Sequence, residues 1–531
     1  MGPTARVHAL PKRRERHFGD RVVWCFSERV ATIYAGFAAA VAAHRDDTAL
    51  VFGPAKWTYG ELEIEVGRLA HGLSSLGVMP GDRVAMLIRN RPEFVTLFYA
   101  IQRLGAVCVP MDVRLQGAEV AHVLSTSGAR VLLHDENLQD RLSQAPGIAG
   151  SVRTIALPEA GTLFPQAEPA DAAPPYDGAM EEDIALILYT SGTTGQPKGA
   201  SIAHLNVAHS VIHHSGNLGL MHTDRCLVAV PLSHITGLLC GVIAPLFCGG
   251  TLIVLPYFKA QEFVAAAADV RMTYTIMVPA MYNLCLRVPD FDAYDLSSWR
   301  LGHFGGSPMP EATIDTLAHK LPNLTLVNGY GATETCSPAV MTPVGEAASP
   351  HGAVGKPLPC VEVMIMDPET GIEVPRGASG EIWVRGPMVI ASYWNNPEAT
   401  SKGIVGGFWR SGDVGSVDEA GYVYVHDRLK DMINRGGYKI YSAEVESVLA
   451  HCPGVVESAV VGRPDPVLGE RVHAFVCHSA PVSEAELRAF CAARLADYKI
   501  PETWTLSAEL LPRSATGKLA KKLLHDMLGS K

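Results

Sequence analysis

The sequence predicts an α/β protein with mostly parallel strands, and three observations carry that prediction. Helical and strand-like apolar patterns alternate over residues 59–110, and a second alternating block runs over 184–342. From Val354 the texture changes to short strands punctuated by glycine. After Lys430 a further compact α/β unit closes the chain.

Each element has its own warrant. Residues 59–76 place apolar side chains at helical spacing, and Gly81-Asp82 then turns the chain into the strand-like Val84-Ala85-Met86-Leu87-Ile88. Residues 92–104 again read as helix and 106–110 as a short apolar strand. Residues 158–183 are rich in Ala, Pro and acidic side chains with little periodicity, which predicts a surface connector. Residues 361–366 and 381–384 read as strands of a small β-rich subdomain. There is no internal repeat and no sustained heptad.

Composition narrows the function classes. Of 531 residues, 48% are apolar and 18% charged, enough to build a large core and to exclude global disorder. Lys and Arg total 44 against 54 for Asp and Glu, a formal charge of −10 that argues against a nucleic-acid partner. The 11 cysteines include no Cys-x-x-Cys pair, so reduced thiols in a cytoplasmic protein are the simplest reading. No segment reaches the ~20 apolar residues of a membrane span. The best run, 31–43, is short and ends at His44, Arg45 and Asp46. Lys12, Arg13, Arg14 and Arg16 precede it in the manner of a signal peptide, but Asp20, Glu28 and Arg29 interrupt the pattern. Residues 1–30 therefore read as a loosely packed N-terminal tail.

The most informative stretch is Tyr189-Thr190-Ser191-Gly192-Thr193-Thr194-Gly195-Gln196-Pro197-Lys198-Gly199, which follows the apolar run 184–188 and precedes a helix-compatible run. Its glycines allow tight turns that bring backbone N–H groups close to a ligand. Thr190, Ser191, Thr193 and Thr194 add hydroxyl donors and Lys198 adds a positive charge, a combination suited to a polyphosphate. The Walker spacing is absent, and Lys198 follows a proline.

This string resembles the signature loop of the adenylate-forming superfamily, which includes AMP-forming acyl-CoA synthetases, nonribosomal peptide adenylation domains and firefly luciferase. Further motifs follow in the superfamily's order. Pro231-Leu232-Ser233-His234-Ile235-Thr236-Gly237 is similar to the segment whose histidine borders the acyl pocket. Asn328-Gly329-Tyr330-Gly331-Ala332-Thr333-Glu334 matches the Tyr-Gly-x-Thr-Glu motif, and Trp409-Arg410-Ser411-Gly412-Asp413 the Ser-Gly-Asp motif. Asp427-Arg428-Leu429-Lys430-Asp431 resembles the hinge, and Leu511-Pro512-Arg513-Ser514-Ala515-Thr516-Gly517-Lys518 the C-terminal lysine motif. Asp427 stands where many members have Gly.

The resemblance implies a large N-terminal part over 31–429, with two α/β subdomains and a small β subdomain, and a mobile C-terminal α/β lid over 430–531. It implies an acid–thiol ligase that uses ATP, Mg²⁺ and CoA to convert a small carboxylic acid, aryl or medium-chain, into acyl-AMP and then acyl-CoA. Both partners of the first step are anionic, so neutralising charge is the central requirement. Glu334 is the implied metal carboxylate, and Thr333 reaches the α-phosphate. Tyr330 offers a ring to adenine, with Gly305-Gly306 on its other face, and Asn328 reads an adenine edge. Asp413 takes the ribose hydroxyls and Arg428 approaches the ribose. Lys518 bridges the substrate carboxylate and the α-phosphate. Lys430 sits at the hinge, and Gly436-Gly437 approach the pantetheine arm of CoA.

Ordinary readings compete with these. Alone, His234 would read as a core histidine and Lys518 as a solvated lysine beside Lys521 and Lys522. His209, His213 and His214 lack the glutamate of a His-Glu-x-x-His site and a visible third ligand, and read as a solvated helix face. Two other functions stay open at this level: a stand-alone adenylation enzyme passing its acyl group to a carrier protein or amine, and a non-catalytic nucleotide-binding protein.

Overall fold

A computed structural model gives the fold for residues 2–143, 152–159, 163–164, 172–190, 197–345, 349–513 and 519–529. Two compact units emerge: residues 1–363 with 384–410, and residues 364–383 with 411–531.

The first unit is built on two sheets. One has the order Lys198–Ala203, Ile184–Thr190, Val107–Pro110, Arg83–Leu87, Val131–Asp135, Arg153–Leu157, parallel except for the pair Lys198–Ala203 and Ile184–Thr190. In the other, Thr325–Ala332, Leu301–Gly305, Tyr274–Met277, Arg225–Val228, Thr251–Val254 and Thr48–Phe52 run parallel to their neighbours. Antiparallel strands Ser337–Met341 and Ala55–Thr58 flank that parallel run. Parallel strands need crossover helices on both faces, which explains their near-continuous apolar character. Tyr274, Ile276 and Met277, for example, are all buried.

Most expected elements appear within a residue or two. The helix Tyr59–Ser75 starts at a capping box in which the Thr58 hydroxyl accepts from Glu61 N–H and the Glu61 carboxylate accepts from Thr58 N–H. Pro92 occupies the first turn of the helix Pro92–Arg103, where its missing N–H costs nothing. The strand Lys198–Ala203, directly after the glycine-rich loop, is an addition the sequence did not announce.

The first 30 residues correct the expectation of a loose tail. Pro3–Ala9 is a helix, and Lys12–His17 pairs antiparallel with Arg21–Phe26. Val7, Val23, Cys25 and Phe26 are buried, while Val22 and Trp24 face outward. That inward–outward alternation was the missed signal, masked by the charges on the facing strand. Those charges are partly internal partners: Arg29 donates to Glu15 and to Glu181. Among the described residues, no helix is long and apolar enough to cross a membrane.

The second unit contains the antiparallel register Asp413↔Arg428 and a sheet in the order Tyr438–Ile440, Ile433–Arg435, Gly469–His478, Val455–Asp465, with Thr503–Ser507 parallel to Gly469–His478. Helices Ser442–Ala450 and Glu484–Ala492 help bury its own core of Val445, Leu449, Val460, Val472, Leu487 and Trp504.

Candidate active site

In the first unit the ends of strands from both sheets deliver the expected residues. Open α/β sheets place ligands there, because the following loops gather at one edge. Thr190 ends the strand Ile184–Thr190, and Lys198 pairs with it in register at the start of the next strand. Gly305 ends Leu301–Gly305, and Gly306 follows at φ +80°. Asn328, Gly329, Tyr330 and Gly331 lie in Thr325–Ala332, and Thr333 and Glu334 form the 3₁₀ turn after it. Ser191, Gly192, Thr193, Thr194 and Gly195 lie outside the described residues, as does Lys518.

The turn carrying Glu334 is shaped by strain. Cys336 and Ser337 are consecutive non-glycine residues in the left-handed region, at φ +49° and +84°. Such conformations persist only where the surroundings over-determine them. Here the Thr335 hydroxyl accepts from Ala332 N–H at 2.8 Å and donates to the Ser337 carbonyl at 2.7 Å. The result is a fixed position for the Glu334 side chain, 8% exposed. Its Oε1 accepts from the Tyr393 hydroxyl at 3.0 Å and from the Thr190 hydroxyl at 3.4 Å.

Tyr393 was not legible as a site residue. Burial first, and then the Glu334 carboxylate, push its phenol far up, so it remains a donor throughout the physiological range. Lys198 Nζ stands 5.7 Å from the centre of the same ring. Thr190, Lys198, Glu334 and Tyr393 thus form one group, assembled from three separate segments.

Two glycines of the adenine motif are required by packing. A Cβ on Gly305 would lie 2.4 Å from the Gly329 carbonyl oxygen, and one on Gly329 would lie 2.3 Å from His303 Nε2. Their smallness therefore serves strand and side-chain approach.

His234 introduces a π-helical segment, Thr236–Ile243, a rare form found frequently at functional sites. Its ring is 35% exposed, and Nε2 lies 2.9 Å from Asp112 Oδ2. Asp112 in turn accepts from Arg114 N–H at 2.9 Å, Arg114 Nε at 2.9 Å and Arg114 Nη2 at 2.6 Å. Burial alone would raise this carboxyl. The bonds from Arg114 and His234 outweigh it and hold the group well below the usual carboxylate range.

The expectation of a solvated face at His209, His213 and His214 is corrected: all three are fully buried. The helix His204–Leu218 is covered on nearly every side, so apolar periodicity could not identify its outer face. His209 donates from Nδ1 to the Leu205 carbonyl and accepts at Nε2 from Phe26 N–H, while His213 meets the Pro359 carbonyl at 2.6 Å. Burial depresses both, His209 to about 3 and His213 to about 4. His214 lies near Cys240 and His303, company the sequence did not show, with potential ligand atoms within 4.8 Å of one another. Two of these groups already have partners: His214 bonds Tyr274 and Cys240 bonds Ser337.

The second unit holds the remaining residues. Asp413 is buried and receives Arg428 Nε at 2.7 Å, while the Arg428 side chain is half exposed. Asp427, which replaces the commoner glycine, is buried. Its Oδ1 accepts from Arg428 N–H, and its Oδ2 accepts from Ser442 N–H, capping the helix Ser442–Ala450. Lys430 follows on an exposed turn, and Gly436 and Gly437, at φ +60° and +93°, connect Ile433–Arg435 to Tyr438–Ile440.

The AMP-binding enzyme family matches residues 37–394, and the AMP-binding enzyme C-terminal domain matches residues 444–518. The chain is 36% identical over 480 residues to the long-chain-fatty-acid–CoA ligase FadD13 of Mycobacterium tuberculosis, covering 89% of this chain and 93% of that protein. It is 38% identical over 485 residues to a feruloyl-CoA synthase of Amycolatopsis, covering 91% and 96%. Its fold superposes with a TM-score of 0.82 on o-succinylbenzoate CoA synthetase of Bacillus subtilis in complex with its acyl-adenylate intermediate, at 31% identity and covering 94% and 98%.

Proposed function

The chain belongs to the AMP-binding enzyme family and is an AMP-forming acid–CoA ligase, and we propose that it activates a carboxylic acid whose body carries no second charge, aryl or aliphatic. The carboxylate attacks the α-phosphate of ATP and pyrophosphate leaves. The CoA thiol then attacks the acyl carbonyl of acyl-AMP, forming the C–S bond as AMP departs and the thiol proton passes to solvent. The observation that carries the first half is the Thr190–Glu334–Tyr393 group beside Lys198.

That group fits a hard cation, since a buried carboxylate and a hydroxyl within 3.4 Å are the oxygen donors Mg²⁺ takes. Bound at Glu334 and Thr190, Mg²⁺ would supply neutralising charge between the two anionic reactants. The protein's own groups do the rest. Lys198 and the 191–195 loop cradle the departing phosphates, and Thr333 reaches the α-phosphate. Tyr330 and the Gly305-Gly306 backbone enclose adenine, and Asn328 reads its edge. Asp413 and Arg428 take the ribose. Lys518 binds the carboxylate and α-phosphate together, while Lys430 and Gly436-Gly437 serve the CoA step.

The substrate class rests on charge. Residues 228–240, 273–286, 301–309 and 326–333, which we assign to the acyl pocket, contain no Asp, Glu, Lys or Arg. Beside His234, Asp112 and Arg114 neutralise each other. A buried second carboxylate or an α-ammonium would lack a partner, at a cost of several kcal/mol. Two relatives are named for feruloyl and long-chain fatty acyl groups, which carry no second carboxylate, while the o-succinylbenzoate enzyme is named for an acid that does. The test compares kcat/KM for pyrophosphate release with benzoate, cinnamate, hexanoate, octanoate, malonate and phenylalanine. The four neutral-bodied acids should include the best substrate; a higher value for malonate or phenylalanine than for all four refutes the class.

A further inference from the structure

His234 is held by a partner that no motif contains. Asp112 lies 122 residues away in sequence, just beyond the strand Val107–Pro110, and its side chain is 6% exposed. Its loop is pinned independently: Arg141 Nη1 donates to the carbonyls of Val113 and Leu115 at 2.6 and 3.1 Å. The segment leading to His234 is also fixed, with Asn90 donating to the Val230 carbonyl and accepting from Leu232 N–H. Two rigid backbones therefore set the 2.9 Å contact between Asp112 Oδ2 and His234 Nε2.

Such a contact has a definite chemical consequence. A carboxylate that stays ionised can only accept, so Nε2 must carry the proton. In neutral His234 the lone pair then lies on Nδ1, which has no hydrogen-bond partner among the described residues. Arg114 holds the Asp112 carboxylate from the other side, its guanidinium engaging both oxygens, and Arg141 pins the same loop.

We propose that Asp112 is a positioning residue for His234, holding it in the Nε2–H tautomer with Nδ1 as the outward acceptor, and that Arg114 fixes Asp112 by engaging both of its oxygens. The proposal rests on the placement of His234 at the acyl pocket, and its tests separate the two ideas.

The direct test reads the ring nitrogens of His234 by nitrogen-15 NMR of the full chain, with the signal assigned through its loss in His234→Gln. The Nε2–H pattern is expected in the wild type, and an Nδ1–H pattern overturns the proposal whatever the activity. The second test reads the same nitrogen-15 pattern together with kcat/KM for the best neutral acid, in variants whose melting curves match the wild type. Asp112→Ala removes the acceptor, so the fixed Nε2–H pattern should give way to a mixture of tautomers and kcat/KM should fall about 10-fold or more. His234→Ala should lower kcat/KM at least as far. If it does so while Asp112→Ala keeps both the pattern and the rate, the positioning role is wrong. If His234→Ala leaves the rate unchanged, the placement of His234 at the pocket is wrong.

Discussion

In the first unit the side chains assigned to adenylation are gripped from several directions, whereas in the second the residues assigned to the CoA step stand on exposed turns. Glu334 is buried with hydroxyl donors from Tyr393 and Thr190, and Asp112 is buried with four donors from Arg114 and His234. Arg428, Lys430, Gly436 and Gly437 are exposed, while Asp413 and Asp427 beside them are buried. The difference matches the chemistry. Charge that develops at an α-phosphate is best met by donors fixed in advance, whose reorganisation costs nothing during reaction. Groups that serve a later step gain from standing on a turn that can reorient.

The sharpest way to break this comparison is to remove a charge from the first step alone. Lys518→Ala should lower acyl-AMP formation by roughly 10²–10³, with a much smaller effect on thioester formation from pre-made acyl-AMP. Rapid-quench assays of each half-reaction check this, and equal losses in both would remove Lys518 from its assigned role. The converse substitution acts on the second step alone. Leu429 N–H donates to the Gly412 carbonyl, and Asp431 and Met432 N–H donate to the Arg428 carbonyl, so proline at 430 breaks none of these bonds while freezing φ. Lys430→Pro should spare adenylation and slow thioester formation by on the order of 10², the scale for misplaced reacting groups. Normal turnover to acyl-CoA in that variant would contradict it.

Smaller effects sharpen the picture of the first unit. Tyr393→Phe removes one hydrogen bond to a buried carboxylate, a loss of about 1.5–3 kcal/mol, and should lower the adenylation rate ~10-fold or more. The Mg²⁺ concentration for half-maximal rate should rise with it, because Glu334 would be less well held. An unchanged Mg²⁺ dependence would reduce Tyr393 to a packing residue. Stability should also fall with acidity. Buried His204, His209, His213 and His303 have folded-state values of about 4, 3, 4 and 3, below the unfolded value near 6.5. The unfolded chain therefore binds more protons as pH drops below about 6.5. Stability present above that pH is lost toward pH 4, by up to about 1.4 kcal/mol per pH unit for each histidine. Urea melts at pH 8, 6 and 5 should show it, and a flat midpoint would contradict the burial of these rings.

Much of this was legible because the motifs are contiguous. The strings 189–199, 328–334 and 409–413 carry their chemistry within a few residues, and the strand and helix periods around them were plain. What escaped reading came from contacts across the chain. Tyr393 meets Glu334 at a separation of 59 residues and Asp112 meets His234 at 122, and neither has a local signature. The helix His204–Leu218 is buried on faces that periodicity cannot rank. The N-terminal hairpin hid because Arg29 and Glu15 neutralise each other only after folding. Asp427, a departure within the hinge motif, acquires its reason from the cap it gives to Ser442, again a contact made in three dimensions.

The central claim is that one chain both adenylates an acid and delivers it to CoA. The most direct measurement incubates the full chain with ATP, Mg²⁺, the best neutral-bodied acid and CoA, and quantifies AMP, pyrophosphate and acyl-CoA together by mass spectrometry and a coupled assay. The account predicts equal amounts of all three, with acyl-CoA appearing only when acid, ATP and CoA are all present. Acid-dependent pyrophosphate release without any acyl-CoA would contradict it.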